Sequence, residues 1–530
     1  MKKMRKLLAV LLTFVMVMGL GVTALADEVT YTLTIKNTKT GHTYEVYQIF
    51  TGDISGVEDH YVLANVKYGK NYGTEGELVP EEELKAIKDA DTFAQTVVVT
   101  GEAFKTVPSA DGNTEIKGLP AGYYLVKEST ESITGHDAYT KHILQVVGDT
   151  TIKVKSAVPI VIKKVKEDDK NVGGNTDPNL SGYDVGDGYN DVADYDIGES
   201  VPFKLIGTLP DRYDDYKAYT YIFHDTLSDG LDFIEGSVKV YVDNSNGESD
   251  IDELKDITAS FTIDETNGKL TIACDDLKAI ENSTIVSTSK IVVTYDALLT
   301  EKAVIGLDGN ENEVYLEFSN NPNLNGDGTP NDSTGNTEKD KVIVFTYELD
   351  VTKIDAELKE ENEVPLEGAE FILLNEKQDK VAVVENGKLV KWVEYKEGAG
   401  STLVSGADGK FIIAGLDDGT YYLKETKAPT GYNLLADPIK VAISATTTNI
   451  QSWDGVAANA LTALTIKVDD GEAVNGALDT GIVATKVKNN AGTVLPETGG
   501  IGTTIFYIVG AILVIGAAVI LITRRRMDAK

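Results

Sequence analysis

The stretch Lys341–Asp355, KVIVFTYELDVTKID, decides the fold class of this chain. It runs apolar and then alternates apolar with polar residues, and it is rich in β-branched and aromatic side chains, which is typical of β-strands. The same pattern recurs in YTLTIKNT, ILQVVGDTTIKVKS, SVKVYVD, KIVVTYDALLT, EVYLEFSN and FIIAGL, with Gly, Asn and Asp between the runs. The sequence therefore predicts an all-β chain of tandem β-sandwich domains with Greek-key connections.

Two lysines interrupt apolar rows in these strands. Residues two apart share a face of a strand, so Lys353 points the same way as Leu349 and Val351. In VIKKVKE, Lys163 lies in a row of the same kind. An unpaired buried charge costs several kcal/mol, so each lysine needs a partner or a route to water.

Carboxyl groups and an amide lie in similar rows. Glu425 in YYLKET, Asp225 in TYIFHDT and Asn320 in EVYLEFSNNP each share a face with apolar residues. We expect the lysines, carboxyls and amides to meet inside the domains. The alternative is that these residues lie at strand ends and reach water with their polar tips.

Such a meeting of side chains has a chemical consequence. Burial lowers the pKa of a lysine and raises that of a carboxyl, so the amine can attack an Asn carboxamide polarised by the protonated acid. Ammonia leaves and an amide crosslink remains, and contact between the groups supplies the effective concentration. The crosslink would substitute for disulfides, since Cys274 is the only cysteine.

Composition divides the chain into parts. Pro159 lies where one set of strands ends, and the polar stretch 321–341 precedes the strand quoted first. We predict domains over residues 27–157, 158–345 and 346–494, and one helix in PEEELKAIKDADTFAQTVV. The first and third domains share G-x-Y-x-[VL]-x-E, which makes Glu128 and Glu425 equivalent.

Both ends of the chain carry targeting features. Residues 1–26 read as a secretory signal peptide, with four basic residues, an apolar run and the cleavage site Ala-Leu-Ala. Ile505–Ile522 carries no charge and, with its flanks, is long enough to span a membrane, and three arginines follow. A lipid-anchor signal of the GPI type is the rival for residues 495–530, but the basic end and the Pro-containing LPETG argue against it.

Charge and missing motifs limit the function. The net charge of the whole chain is −35. Residues 1–26 carry +4 and the segment from Gly499 onwards carries +3, so the part between them has a net charge of −42. Such a surface repels nucleic acid. HExxH, CxxC and P-loop motifs are absent from the sequence, so we expect neither an enzyme acting on external substrates nor a cofactor. Asp-rich stretches at 184–196 and 323–332 offer oxygens for Ca²⁺, but we expect solvated loops and no metal.

The C-terminal end resembles the cell-wall sorting signal of Gram-positive surface proteins. LPETG, an apolar span and a basic tail follow one another in that order. The resemblance implies that sortase, a membrane transpeptidase, cuts between Thr and Gly and passes the Thr to an amine, as of a peptidoglycan cross-bridge. It also implies a precursor held in the membrane and a product anchored to the wall outside the cell. The recognised residues are Leu495, Pro496, Glu497, Thr498 and Gly499.

The last domain resembles the Cna-B type domain of Gram-positive backbone pilins, which is a β-sandwich of Ig-like character. YYLKETKAPTGYN is similar to their E-box, and DVTKID and VKNNAGTVLPETGG are similar to their first and last strands. The resemblance implies a crosslink from Lys353 to Asn489, with Glu425 as catalyst. Asn489 is preferred to Asn490 because it shares strand parity with Val487.

The other two domains resemble the same pilins with less detail. VIKKVKE, HDTL and YLEFSNNP are similar to a central Cna-A-like domain, which implies a crosslink from Lys163 to Asn320 with Asp225 as catalyst. The first domain carries Glu128, but Lys36 lies on the wrong face of its strand and its last strand offers no Asn. We expect no crosslink there.

The resemblance implies a structural subunit of a sortase-assembled pilus shaft that supports adhesion, with other pilin subunits, in a homopolymer, as partners. Such subunits are linked through a lysine near the end of the first domain. Lys155 occupies that place, with Lys153 and Lys164 as rivals. The alternative is a monomeric wall-anchored adhesin that binds a ligand on the host surface, protein or glycan, without polymerising.

Overall fold

The computed structural model describes residues 29–57, 60–88, 90–129, 132, 137–139, 141–153, 158–168, 176–180, 182–281, 284–322, 329–357, 363–448, 451–492 and 501–527. The predicted signal peptide, the LPETG residues 495–499 and Lys155 lie outside these ranges. Strands dominate the described residues, which confirms the all-β prediction.

The N-terminal part holds two sheets and two short helices. One sheet has the order β5-β1-β8, and the other has the order β3-β2-β6-β7 with β4 beside β2. The elements are β1 (Thr30–Thr38), β2 (Thr43–Val57), β3 (His60–Tyr68), α1 (Glu81–Ala86), α2 (Ala90–Thr96), β4 (Lys105–Pro108), β5 (Gly112–Pro120), β6 (Gly122–Glu128), β7 (Lys141–Val146) and β8 (Thr150–Lys153). The single helix predicted from PEEELKAIKDADTFAQTVV is interrupted, because Ile87 takes an extended conformation after α1.

The middle part packs two sheets face to face. Their orders are β10-β9-β12-β19-β15-β16, with β14 beside β19, and β11-β22-β20-β13-β18-β17, with β21 beside β20. The strands are β9 (Val161–Lys166), β10 (Tyr189–Asn190), β11 (Val192–Asp194), β12 (Ser200–Thr208), β13 (Tyr221–Leu227), β14 (Leu231–Phe233), β15 (Lys239–Asp243), β16 (Lys255–Asp256), β17 (Thr262–Thr266), β18 (Lys269–Cys274), β19 (Lys290–Leu299), β20 (Asn310–Ser319), β21 (Thr334–Asn336) and β22 (Asp340–Phe345). Cys274 is buried in β18 as a free thiol.

The C-terminal part is one continuous run of paired strands. Its order is β32-β31-β30-β29-β24-β25-β26-β28-β23-β33, with β27 beside β24. The elements are β23 (Tyr347–Asp355), β24 (Glu370–Leu374), β25 (Lys380–Glu385), β26 (Lys388–Glu394), β27 (Leu403–Val404), β28 (Lys410–Leu416), β29 (Gly419–Lys427), β30 (Ile439–Thr447), α3 (Ala457–Ala460), β31 (Leu461–Val468), β32 (Val474–Asn475) and β33 (Ile482–Asn489). The first and last strands, β23 and β33, pair in parallel.

A long helix, α4 (Ile501–Met527), follows these domains. Its segment Tyr507–Arg525 is, by length and composition, apolar enough to cross a membrane, and none of it is buried against the rest of the protein. Among the described residues this is the one helix with that property.

The middle and C-terminal parts share a continuous apolar core, which extends from Val161 to Val487. At their joint the amide of Ile197 donates to the carbonyl of Gly415 at 2.9 Å. Gly415 has φ +91°, and a Cβ on it would lie 2.4 Å from the Ile197 side chain, so only glycine fits there. The N-terminal part has separate cores.

Candidate crosslinking sites in the middle and C-terminal domains

Strand pairing brings three predicted residues of the C-terminal domain together. Lys353 on β23 lies beside Val487 on β33, and Asp355 lies beside Asn489. The Lys353 ammonium nitrogen donates to the Val487 carbonyl at 3.1 Å. All of these positions follow from the parallel pairing of the first and last strands, which places a lysine of one strand two residues from an Asn of the other.

Glu425 on β29 holds the amide of Asn489. Asn489 Nδ2 donates to Glu425 Oε1 at 2.9 Å and to Oε2 at 3.0 Å, and it also donates to the Asn433 carbonyl at 2.9 Å. The backbone amide of Leu435 donates to Glu425 Oε2. Asn489 Oδ1 is buried and has no hydrogen-bond partner among the described residues. The carboxamide is therefore fixed through its nitrogen, and its oxygen can still accept a hydrogen bond.

Burial controls the charge of Lys353. Its side chain is fully buried. Loss of water lowers the pKa of Lys353 to about 8, although Glu425 and Asp355 act in the opposite direction. At pH 7 about a tenth of the Lys353 side chain is then a neutral amine. Asn490, the alternative to Asn489, is exposed.

The middle domain has a second buried lysine–carboxyl pair. Lys163 on β9 donates from Nζ to Asp225 Oδ2 on β13, and to the hydroxyl of Tyr295 on β19 at 2.9 Å. Both charged side chains are completely shielded from solvent. The Lys163 nitrogen also lies 5.1 Å from the centre of the Phe203 ring.

Desolvation dominates this pair. It lowers the pKa of Lys163 and raises the pKa of Asp225, and in each case the attraction between the two groups only partly offsets it. Both shifts favour a proton on the carboxyl and a neutral amine. Asp225 Oδ1 is buried and has no hydrogen-bond partner among the described residues.

The prediction that Asn320 is the Asn of this site is wrong. Asn320 lies beyond the end of β20, where Nδ2 donates to the Asp137 carbonyl of the N-terminal domain at 3.3 Å. The Asn near Lys163 is Asn312, whose Nδ2 donates to the Tyr295 hydroxyl at 2.7 Å. The two asparagines share a face of the strand, but eight residues separate them by about 27 Å.

Strand parity therefore gives the face of β20 on which Asn312 lies but not the position along the strand. Asp225 pairs across the strands with Val314, which is adjacent in the row to Asn312. Asn312 is fully buried, and its Oδ1 has no hydrogen-bond partner among the described residues. Only the register of β13 against β20 separates it from Asn320, and that register joins strands far apart in the sequence. Tyr295 was also missed, although its parity with Val293 and Ile291 was a signal that it faces the core.

Glu128 of the N-terminal domain has a different environment. Its carboxylate lies 3.9 Å from His42 Nδ1 and accepts a hydrogen bond from the Tyr44 hydroxyl. Lys36, the lysine of the first strand, is exposed. The structure therefore does not bring these two residues together.

Lys164, one of the rivals proposed for linking subunits, is buried on the face of β9 opposite to Lys163. Its Nζ contacts Asp177 Oδ2 at 2.6 Å, Asp191 Oδ1 at 2.5 Å and the Gln451 carbonyl at 2.8 Å. Burial lowers its pKa, but the two carboxylates outweigh that effect, so the pKa of Lys164 is raised overall. A buried amine that stays charged is unsuited to react with another subunit.

The expectation of solvated loops for the Asp-rich stretch 184–196 is also wrong in part. Asp191 and Asp194 are almost completely buried. Carboxylate oxygens of Asp194, Asp417 and Asp418 all lie within 4.8 Å of one another at the joint between the middle and C-terminal domains. These are the residues whose donor set suits a hard cation. Part of the other stretch, residues 323–328, lies outside the described residues.

Comparison with known proteins gives three family matches. Residues 197–322 match "Gram-positive pilin backbone subunit 2, Cna-B-like domain", residues 347–455 match "Prealbumin-like fold domain", and residues 487–529 match "LPXTG cell wall anchor motif". The middle domain, expected to be Cna-A-like, thus matches a family that is described as Cna-B-like.

Individual relatives agree with these matches. The chain is 25% identical over 380 residues to the "Trypsin-resistant surface T6 protein" of Streptococcus pyogenes serotype M6, a match that covers 62% of this chain and 65% of that protein. It is 33% identical over 110 residues to the "Fimbrial subunit type 1" of Actinomyces viscosus, which covers 21% of this chain and 16% of that protein. The chain thus spans less than two thirds of the length of either relative.

A solved structure supports the fold. The T6 backbone pilin of serotype M6 Streptococcus pyogenes, described as a modular three-domain structure, matches 89% of this chain and 100% of its own, with a TM-score of 0.53 and 20% identity. The anchor motif and the apolar helix α4 place the chain at the cell wall, by way of a precursor retained in the membrane. Over its middle and C-terminal parts, the chain is therefore similar to the LPXTG-anchored backbone pilins of Gram-positive bacteria.

Proposed function

We propose that this chain is the shaft subunit of a sortase-assembled pilus and that its middle and C-terminal domains each form an internal Lys–Asn amide without an external enzyme. The observation that carries the proposal is the cluster of Lys353, Asn489 and Glu425, in which a buried amine, a carboxamide and a carboxyl meet between the first and last strands. Such a cluster has the parts for one condensation, and all three side chains are buried.

The reaction in the C-terminal domain follows from these contacts. Lys353 first passes a proton to Glu425 and becomes a neutral amine. Nζ then attacks Cγ of Asn489, while the protonated carboxyl polarises the carboxamide. Glu425 already lies 2.9 Å from Nδ2, so it can deliver its proton to that nitrogen and take up the proton that Nζ loses as the amide forms. The Cγ–Nδ2 bond breaks, ammonia leaves and the Nζ–Cγ amide remains.

The middle domain offers the same groups in a different arrangement. Lys163 supplies the amine, Asp225 holds its proton, and Asn312 supplies the carboxamide. Each reaction happens once per molecule, because the product cannot leave. The chain is therefore a substrate of its own chemistry and of sortase, not an enzyme with turnover.

The proposed amides suit a protein under tension. Sortase would join Thr498 to an amine of the next subunit or of a peptidoglycan cross-bridge, so a pulling force enters the chain after β33. The amide of Asn489 would pass that force directly to Lys353 on β23, which continues from β22 of the middle domain. Most of the C-terminal domain would then carry no load, since residues 354–488 lie outside the covalent path.

Intact mass spectrometry tests the crosslinks. We expect the chain from Asp27 to Thr498 to be lighter than its translated sequence by two ammonias, and the Glu425→Ala and Asp225→Ala variants each by one. A wild-type mass equal to the translated sequence would remove the chemical basis of the proposal. Tandem mass spectrometry of a digest locates each amide on its lysine and Asn.

Trypsin digestion adds a functional measurement. A relative is named for trypsin resistance, and we expect this chain to resist trypsin as long as both amides are intact. The double variant Lys163→Met, Lys353→Met should be cut rapidly. Equal digestion rates for the two proteins would mean that the amides do not protect the shaft.

Polymer formation is tested in cells. We expect wall extracts of a strain that expresses the chain with its sortase to show a ladder of high-mass species, and Thr498→Ala to abolish it. A single wall-linked monomer band would instead favour a wall-anchored adhesin whose N-terminal domain binds a host ligand. Substitution of Lys155 in the same strain tests the predicted linking residue.

A further inference from the structure

Tyr295 occupies the centre of the middle-domain site. Its hydroxyl lies 2.9 Å from Lys163 Nζ and 2.7 Å from Asn312 Nδ2, and it also hydrogen-bonds Asp225. The ring is buried and stacks on Phe203 with 5.3 Å between ring centres. One oxygen thus contacts the attacking nitrogen, the leaving nitrogen and the carboxyl.

The two sites differ at the leaving nitrogen. In the C-terminal domain, Glu425 contacts Asn489 Nδ2 through both oxygens. In the middle domain, the hydrogen bond of Asn312 Nδ2 goes to Tyr295, and Asp225 Oδ1 has no hydrogen-bond partner among the described residues. A group other than the carboxyl is therefore in place to serve the leaving nitrogen there.

We propose that Tyr295 is a catalytic proton relay for the middle-domain crosslink, a role that rests on the proposed function. Lys163 first gives one proton to Asp225. Nζ then forms a bond to Cγ of Asn312, and the carboxamide nitrogen becomes a basic amine. Tyr295 donates its hydroxyl proton to Nδ2 and accepts a proton from Nζ in the same step. The Cγ–Nδ2 bond breaks, ammonia leaves, and Tyr295 is again a neutral phenol.

The surroundings of Tyr295 suit a relay that never becomes charged. Burial raises its pKa well above the ordinary value, and the neighbouring Asp225 raises it further. The raised pKa of Tyr295 disfavours a phenolate, whereas simultaneous gain and loss of a proton leaves the phenol neutral. The stacked ring of Phe203 and the tilted ring of Phe233 pack against Tyr295 and hold its oxygen in place.

The variant Tyr295→Phe removes the relay and keeps the ring. The matched control is Tyr221→Phe, which removes a buried hydroxyl from the same domain, where it donates to the Thr208 carbonyl at 2.9 Å and touches no reacting atom. The chain from Asp27 to Thr498 is synthesised in a cell-free system, quenched in acid denaturant at set times and weighed intact. The rate at which the C-terminal crosslink forms in the same molecule serves as the internal reference.

We expect Tyr295→Phe to lose the C-terminal ammonia at the wild-type rate and the middle-domain ammonia about a hundredfold more slowly, which is typical for loss of one acid–base group. Tyr221→Phe should lose both at the wild-type rate. Equal rates of middle-domain loss in the two variants would overturn the relay. Wild-type protein that loses no ammonia from the middle domain would refute the proposed function instead.

A second substitution separates proton transfer from mere positioning. Site-specific incorporation of a ring-fluorinated tyrosine at position 295 keeps the hydroxyl and the ring but makes the phenol a stronger acid. A relay predicts a changed rate of middle-domain ammonia loss and no change in the C-terminal rate. A rate unchanged by fluorination, together with a slow Tyr295→Phe variant, would show that the hydroxyl only positions Lys163 and would overturn the relay.

Discussion

The Lys353–Asn489 amide makes two separable contributions to stability, and a pair of variants distinguishes them. Lys353→Met removes the amide and also the buried amine, because Met has a similar volume and no charge. Asn489→Ala removes the amide but leaves Lys353 buried without its reaction partner. Both variants therefore lose the crosslink, and only one of them retains a titratable group.

The loss of the crosslink has a calculable size. The amide closes a loop of about 137 residues, and the chain-entropy relation gives about 5 kcal/mol for a covalent link of that length. Both variants should lose this amount relative to the wild type. Relative to Lys353→Met, which keeps the Asn489 hydrogen bonds to Glu425, Asn489→Ala is less stable by about a further 1–3 kcal/mol.

The retained amine adds a pH-dependent difference. Folding lowers the pKa of Lys353 from 10.5 to about 8, which corresponds to about 3 kcal/mol. Between pH 8 and pH 10.5 the unfolded chain binds more protons at this group than the folded chain does, so stability rises with pH in that window. Below pH 8 the folded Asn489→Ala variant carries the full penalty. Lys353→Met carries none at any pH.

Urea unfolding measures this difference. The chain contains two tryptophans, Trp392 and Trp453, and both belong to the C-terminal domain, so tryptophan fluorescence reports its unfolding. We expect the gap in unfolding free energy between the two variants to shrink by about 3 kcal/mol from pH 7 to pH 10.5. A gap that does not change with pH would refute the claim that a buried amine is held at this site. Subtracting one variant from the other cancels the titration of every other group.

Three further outcomes follow from the structure. Asn312→Ala should yield a chain lighter than its translated sequence by one ammonia, and Asn320→Ala by two, as measured by intact mass, because only Asn312 lies in the middle-domain site. Asp417→Asn should raise the thermal midpoint at pH 8 and leave it unchanged at pH 3. Burial raises the pKa of the Asp417 carboxyl in the folded chain. As pH rises, this carboxyl therefore ionises first in the unfolded chain, and the stability of the wild type falls. Lys164→Met should loosen the joint between the middle and C-terminal domains, seen as faster amide exchange at Trp453, whose amide shares Asp191 with Lys164.

Strand parity and the cost of burying a charge predict part of the candidate sites from the sequence. They place Lys163 and Lys353 inside the domains, and the structure has both fully buried. They fail where the answer depends on contacts between distant parts of the chain. Lys163 and Lys164 point to opposite faces of β9, and parity predicts that one of them is exposed. Lys164 is buried because Gln451 of the next domain lies against that face, where its carbonyl accepts a hydrogen bond from Lys164.

The same limit explains the error at Asn320. Parity gives the face of β20, but the depth of a residue in the sandwich is set by the register of β20 against β13, nearly a hundred residues earlier. The Asp-rich stretch 184–196 illustrates the converse. Its composition favours a solvated loop, yet it supplies β11 and the joint with the C-terminal domain, where Asp196 accepts hydrogen bonds from Trp392 and Tyr421. Local composition carries no information about such a distant partner.

The proposed covalent path also accounts for the domain in which no crosslink is expected. If subunits are joined through a lysine at the end of the N-terminal domain, where Lys155 is predicted to serve, a pulling force enters at that lysine and leaves at Thr498. The force then passes through the amides of Lys163 and Lys353, and strands β1–β8 lie outside this path and bear no force. Selection for a covalent crosslink would act on the middle and C-terminal domains, which bear force, and not on the N-terminal domain. Single-molecule stretching of a dimer linked by sortase tests this directly: we expect no unfolding step from the N-terminal domain, and a step whose length matches residues 29–153 would place the linking lysine upstream of that domain.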